Sequence, residues 1–269
     1  MSVVTLLTDF GLGQEYVGVM HGVILGICPL ARIVDISHNL PPQDVGEAAD
    51  MLAASWRYFP TGTVHVAVVD PGVGSTRAVI AAAHGGHCFV APDNGLLSKI
   101  LDANSSIRKV TKEGLFLPEP GNTFHGRDVF APVGAHIAAG LPLDELGPPV
   151  ARADMAHPPW PEPRVLEDGT LAGEVVSMDR FGNLATNIQV DMLWKAMAGQ
   201  GEQSLVIRVG DNEVQGLSSC YSDAEPGNAV AVINSRKRLE VAVREGSAGK
   251  ALGADRGTPV IVVTKTPRE

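Results

Sequence analysis

The chain is poor in the residues that announce several common functions. Three cysteines, Cys28, Cys88 and Cys220, occur in 269 residues, far apart and without Cys-x-x-Cys spacing. That pattern argues against a disulfide framework or a cysteine zinc site, and it points to a reducing compartment in which all three are small, buried apolar residues. No stretch of about 18 apolar residues runs free of polar groups, and no basic segment precedes the strand-like Val3-Val4-Thr5-Leu6-Leu7. The reading is a soluble, cytoplasmic protein with no membrane partner. Charged residues make up 19%, the formal net charge is −9, and there is no Lys/Arg-rich run, so a nucleic-acid backbone is not a fitting partner. Gly-Lys-Ser/Thr, Gly-x-Gly-x-x-Gly and His-Glu-x-x-His are all missing. A Walker phosphate loop, a dinucleotide fingerprint and a zincin site are thereby set aside, and neither metal nor cofactor is expected.

What is present is a chain that turns often: 45% hydrophobic residues, 30 glycines and 19 prolines. Its first half alternates strand and helix signals. Val3–Leu7 is a buried-strand run, and residues 15–27 carry Val17, Met20, Val23, Ile24 and Ile27 at helical spacing, stopped by Pro29. A strand over 32–36 follows, then a capping box, Asp44 with Glu47, opening a helix through Trp56. Strands are predicted at 64–69, 79–83 and 88–90, a helix at 94–101 and another near Asp128. This pattern implies an α/β domain, Rossmann-like, with a largely parallel sheet, over residues 1–156. Residues 157–170, opening His157-Pro158-Pro159-Trp160-Pro161-Glu162-Pro163, read as a Pro-rich linker. Short strand candidates at 171–178, 204–209, 229–233, 239–243 and 260–263, with one helix at 190–197, make residues 171–269 a smaller antiparallel, β-barrel-like domain.

Polar clusters sit just after the apolar runs, where open α/β sheets hold their ligands. Asp9, in Thr8-Asp9-Phe10-Gly11, could accept from a ribose diol or cap the next turn. Asp70 and Arg77 flank the rigid loop Pro71-Gly72-Val73-Gly74, which can fold them onto each other as a charge-assisted pair or leave Arg77 solvated. His125, between Phe124 and Gly126, suits a partly buried imidazole beside a ligand, or a satisfied structural one. Asp179-Arg180-Phe181-Gly182-Asn183 with Thr186-Asn187 could read an adenine edge or an amino-acid head group. In Asn234-Ser235-Arg236, Arg236 could clamp a carboxylate, and hairpin turns explain both of these clusters equally well.

Taken in order, Leu7-Thr8-Asp9-Phe10-Gly11, Val69-Asp70-Pro71-Gly72-Val73-Gly74, residues 91–97 (Ala-Pro-Asp-Asn-Gly-Leu-Leu), Phe124-His125-Gly126-Arg127-Asp128, the 179–183 cluster and Asn234-Ser235 cover nearly the whole chain. In this it resembles the S-adenosylmethionine hydroxide adenosyltransferases, relatives of the S-adenosylmethionine-dependent fluorinase and chlorinase. The resemblance implies hydrolysis of S-adenosylmethionine to adenosine and methionine by attack of water or hydroxide on ribose C5′. It implies a homotrimer whose sites lie between one subunit's N-terminal domain and a neighbour's C-terminal domain. Asp70, Arg77 and His125 would be the water-activating triad. Asp9 would hold the ribose hydroxyls, Asn183 and the Tyr221 ring the adenine, and Asp179, Ser235 and Arg236 the methionine. The halogenases carry tyrosine where this chain has Asp70 and serine where it has Gly126. Two positions depart from the hydrolase pattern: Gln14 stands where an acid is usual and Lys237 where glycine is more typical. A chloride-using halogenase, a non-catalytic sensor of S-adenosylmethionine or adenosine, and a nicotinamide-dependent dehydrogenase are the rival readings. The dehydrogenase lacks its glycine fingerprint.

Overall fold

A computed structural model describes residues 2–196 and 205–264. The chain divides into two compact units, residues 1–159 and 160–269.

In the first unit the apolar runs become β1 (Val3–Thr8), β2 (Arg32–Ser37), β3 (Val64–Val68), β4 (Val79–His84), β5 (His87–Pro92) and β6 (Ser106–Lys109). They form one sheet in the order β2-β1-β3-β5-β4-β6. The pairs β1–β2, β1–β3 and β3–β5 are parallel. β4 and β6 run antiparallel to their neighbours, so the sheet is mixed rather than largely parallel. The reason is local: Gly85-Gly86 turns β4 directly into β5, a two-residue connection that only an antiparallel pair can use.

Helix α1 (Tyr16–Ile27) crosses from β1 to β2, and α2 (Val45–Ser55) from β2 to β3. Asp44 caps α2 by accepting from Glu47 N at 3.0 Å, as its spacing implied. Alternating residues of β1 feed two cores. Val4 and Leu6 pack with Met20 and Ile24 of α1 and with α3 (Ala131–Ala138), while Leu7 packs with Leu52 of α2 and Trp56. The crossovers thus lie on opposite faces, and the sheet's switch point falls between β1 and β3, whose ends pair as Thr8 with Val68.

The predicted helix at 94–101 is absent. Asn94 donates its amide to Val69 O at 2.8 Å, accepts from Leu96 N, and is followed by Gly95 at φ +95°. These side-chain bonds compete with a helical ladder, and the buried Leu96, Leu97, Ile100 and Leu101 reach the core from consecutive turns instead. The helix foreseen near Asp128 begins earlier, as a π-helical turn over Gly126–Phe130 that runs into α3.

Among the described residues the second unit forms an eight-stranded antiparallel sheet: β7 (Arg164–Val165), β8 (Leu171–Met178), β9 (Leu184–Gln189), β10 (Leu205–Val209), β11 (Asn212–Gln215), β12 (Ala229–Ile233), β13 (Arg238–Val243) and β14 (Pro259–Thr264). Helices α4 (Val190–Ala196) and α5 (Ala248–Leu252) cap it. Met197 and Ser204, the last residue of the predicted helix and the first of a predicted strand, lie outside the described residues. Within the segment read as linker, Arg164–Val165 pairs with β8. No helix among the described residues is long and apolar enough to cross a membrane. Only Cys28 is fully buried; Cys88 is half-buried and Cys220 exposed, because Cys220 caps a turn and its thiol donates to Asp223 Oδ1 at 3.2 Å.

Candidate active site

Three segments meet at the carboxyl ends of β1 and β3. Asp9 follows β1 by one residue, and Asp70 follows β3 by two. The loop after Asp70 folds back as its spacing allowed. Arg77 Nε donates to both Asp70 oxygens at 2.9 Å, and Nη2 donates to Asp70 Oδ2. The same Nη2 donates to His125 Nδ1 at 2.7 Å. Arg77 therefore ties together a carboxylate and an imidazole that lie 55 residues apart in the chain. The group is well enclosed: side-chain exposure is 5% for Asp70 and 11% for Arg77, and the guanidinium lies over the Phe130 ring at 5.1 Å.

A guanidinium can only donate, so His125 Nδ1 is the unprotonated nitrogen and the neutral ring carries its proton on Nε2. Burial pushes the His125 pKa down and the Arg77 charge pushes it further; Asp70, Asp128 and a backbone contact to Gly121 act the other way. The imidazole is consequently neutral at neutral pH. Asp128, buried beside it, accepts from Gly121 N at 2.9 Å and from Arg127, which anchors the loop leading into His125.

An aromatic triangle joins the His125 segment to the Asp9 loop. Phe124 meets Phe10 edge-on at 5.7 Å and Tyr16 at 4.9 Å, and Phe10 meets Tyr16 at 6.0 Å. A Cβ built on Gly126 would lie 2.8 Å from the Phe10 ring. Asp9 does not cap a helix but accepts from Gln43 N at 2.7 Å. A cavity of about 780 Å³ opens against Arg77 and His125, walled by Lys109, Glu113, Asn122 and Val129 among others.

The remaining residues singled out from sequence lie in the second unit, in two turns. Asp179 closes the β8–β9 hairpin: its Oδ1 accepts from Phe181 N and Asn183 N at 2.9 Å, and its Oδ2 accepts from Asn183 Nδ2 at 3.0 Å. Phe181 at the tip is 70% exposed. Thr186 and Asn187, grouped with this cluster from sequence, are instead buried in β9. Thr186 donates to Leu239 O, and Asn187 bridges Glu174 N and Pro161 O. Asn234 Oδ1 accepts from Arg236 N at 2.9 Å and Arg238 N at 3.1 Å, which sets the tight turn bearing Ser235, Arg236 and Lys237, the last at φ +60°.

Tyr221 donates to Glu240 Oε1 at 2.7 Å, and Asn234 Nδ2 donates to Glu240 Oε2 at 3.0 Å. That bond, burial and the nearby Glu240 and Asp179 charges push the Tyr221 phenol up to about 12. Glu240 escaped the sequence reading because Arg238-Leu239-Glu240-Val241 alternates as a half-exposed strand does, with the acid on the face away from the core. The Phe10–Tyr16–Phe124 triangle also escaped it, since nothing local pairs residues so distant. Among the described residues there is no group of three or more His, Cys, Asp or Glu side chains that could hold a metal ion.

The pattern has close parallels. The chain is 41% identical to the (R)-S-adenosyl-L-methionine hydrolase of Thermus thermophilus, covering 97% of this chain and 99% of that protein. It is 31% identical to a fluorinase of an Actinoplanes species, covering 89% and 90%. A crystal structure of an uncharacterized conserved protein from Thermotoga maritima superposes with a TM-score of 0.87 at 35% identity, covering 96% of this chain and 99% of that one. Residues 4–147 match the N-terminal domain of the SAM hydroxide adenosyltransferases and residues 173–261 match the C-terminal domain. With both domains matched in order along most of its length, the chain belongs to the SAM hydroxide adenosyltransferase family.

Proposed function

We propose that the protein hydrolyses S-adenosylmethionine to adenosine and methionine. The observation that carries the reading is the enclosed Asp70–Arg77–His125 array at the sheet's switch point. The substrate is a sulfonium, so its leaving group departs as a neutral thioether and needs no general acid. What the protein must supply is an aligned water and a place for its proton. Asp70 orients the water and takes the proton as the oxygen bonds to C5′ and the C5′–S bond breaks. Neutral His125 accepts from Arg77 and so keeps the guanidinium turned onto Asp70. In-line positioning is worth roughly 7–11 kcal/mol of the barrier in a well-aligned site.

Asp9 holds the ribose hydroxyls, Asn183 and the Tyr221 ring hold the adenine, and Asp179, Ser235 and Arg236 hold the methionine. No metal or cofactor takes part. These last residues belong to the second unit, and the reading gives them to a neighbouring chain of a cytoplasmic homotrimer, which the exposed Phe181 beside Asp179 supports. Residues 157–170 serve as the segment between the N-terminal domain and a C-terminal domain over 171–269.

The test is chromatography of the products formed from S-adenosylmethionine with and without chloride. Adenosine and methionine in equal amounts are expected in both. Formation of 5′-chloro-5′-deoxyadenosine would make the protein a halogenase, and tight binding without cleavage would make it a sensor.

A further inference from the structure

We propose that Glu240 is a positioning residue for substrate binding, setting the Tyr221 ring and the Ser235–Arg236 turn in one geometry. The inference rests on the function proposed above and assigns a role to a residue that touches no substrate.

Glu240 lies in β13, between β9 and β12, opposite Ala185 and Val232. Its neighbours Leu239 and Val241 point into the unit's main core. Glu240 and Ala242 take the other face, where Ala242 packs with Val230, Val232 and Ala224. The pairing of β13 with β9 is irregular between Arg238 and Glu240, and Thr186, donating to Leu239 O, sits in the extra stretch of β9. Such irregularities re-aim a side chain. Glu240 ends up only 7% exposed.

A carboxylate is costly in such a place unless its oxygens are bonded. Both are, and each by a different segment: Oε1 by the Tyr221 hydroxyl and Oε2 by Asn234 Nδ2. Asn234 cannot exchange its amide ends, because its oxygen already accepts from Arg236 N and Arg238 N. One rigid side chain in mid-strand therefore fixes the direction of an aromatic ring and the shape of the turn bearing Ser235 and Arg236. A residue holding up the fold alone would need neither partner to lie at a binding surface, yet Tyr221 is 45% exposed and Ser235 is exposed.

The test uses the full-length protein with Glu240→Ala, Glu240→Gln and Tyr221→Phe, singly and combined. Loss of two bonds to a charged acceptor should raise KM for S-adenosylmethionine about tenfold in Glu240→Ala, with kcat within about twofold. Glutamine keeps one acceptor for Asn234 and one donor for the phenol, so Glu240→Gln should return KM to within about threefold of wild type. Tyr221→Phe should add less in the Ala background than in the wild type. The ultraviolet phenolate titration should lose its highest-pH step in Glu240→Gln as that phenol falls toward the ordinary range, and Tyr221→Phe assigns the step.

An Ala variant with wild-type KM, or a kcat loss without a KM change, overturns the proposal. If the Ala variant does not fold, an unmoved phenol titration in folded Glu240→Gln overturns it equally. If wild-type protein leaves S-adenosylmethionine intact, the hydrolase reading fails, and the same comparison run on the dissociation constant still decides for Glu240. Protein that neither cleaves nor binds it removes both.

Discussion

Removing the Arg77 guanidinium tests whether the triad is the enclosed, coupled unit seen in the structure. Arg77→Met keeps most of the side chain's volume against Phe130 but takes away the donors to Asp70 and the one to His125. An exposed ion pair would cost under about 1 kcal/mol to lose. Here both partners are nearly sealed, and removing one leaves a buried carboxylate without its countercharge, a change worth about 3–5 kcal/mol. The remaining 5% exposure of Asp70 lets water relieve part of the loss, which favours the lower end, about 3 kcal/mol. At a urea slope near 3 kcal/mol per molar, the unfolding midpoint should fall by about 1 M with the slope unchanged. The cost belongs to the orphaned carboxylate, so Asp70→Asn in the same chain should recover most of it. Turnover should stay depressed in both, since neither restores the array. With the guanidinium gone, its share of the downward push on His125 also goes, while Asp70 still pushes up, so the imidazole should titrate higher. A midpoint shift below about 0.3 M, or a double variant no more stable than Arg77→Met, would refute the reasoning.

Three further outcomes follow from individual sites. Lys237 sits at φ +60°, so Lys237→Gly should stabilise the protein by up to about 1 kcal/mol in denaturant titration; destabilisation would show that the side chain offsets its backbone strain. Gly126→Ser, the residue the halogenases carry there, puts Cβ within 2.8 Å of Phe10 and should cost about 1–3 kcal/mol while yielding no 5′-halogenated nucleoside; detection of that product by chromatography would contradict it. His65, bonded to Thr5 and stacked on His87, is pushed down to about 3 mainly by burial. The unfolded chain therefore binds the proton first, and stability drops as pH falls from about 6.5 toward 3, by about 2 kcal/mol at pH 5 from this residue. Midpoints at pH 7 and pH 5 should differ less in His65→Gln, and an equal difference would exclude His65 as the source.

Legibility in the sequence tracked the range of the interaction. The Asp70–Arg77 pair was readable because a seven-residue loop with Pro71, Gly72 and Gly74 has few ways to fold other than back on itself. The α1 and α2 helices and the capping Asp44 followed from period and spacing. The contact of His125 with Arg77 did not, since nothing local measures a separation of 48 residues, and the family resemblance alone put them together. Residues 94–101 failed differently. Their apolar spacing is helical, but Asn94 spends its side chain on Val69 O and Leu96 N, and a pattern of hydrophobicity carries no record of that. Glu240 was hidden by the same period-2 rule that correctly identified its strand: alternation tells which face a residue takes, not whether a turn such as Tyr221–Asp223 covers that face.

In the proposed reaction the choice of nucleophile follows from how the charges around Asp70, Arg77 and His125 are matched. Asp70 and Arg77 cancel, and His125 is neutral, so the array as a whole offers an incoming halide no net attraction to offset the loss of its hydration. A water loses much less on entry and finds in Asp70 an acceptor for its proton. Asp9 and Asp179 are held differently, the first by Gln43 N and the second by two backbone N–H groups and the Asn183 amide, all neutral donors that orient a carboxylate without cancelling its charge. In the proposed reaction the nucleophile enters where charge is matched, while Asp9 serves the ribose hydroxyls and Asp179 keeps its charge for the methionine ammonium, a distribution suited to hydrolysis of a cationic substrate. A halogenase would need the reverse at the first of these places, and a tyrosine in place of Asp70 would release Arg77 to supply it.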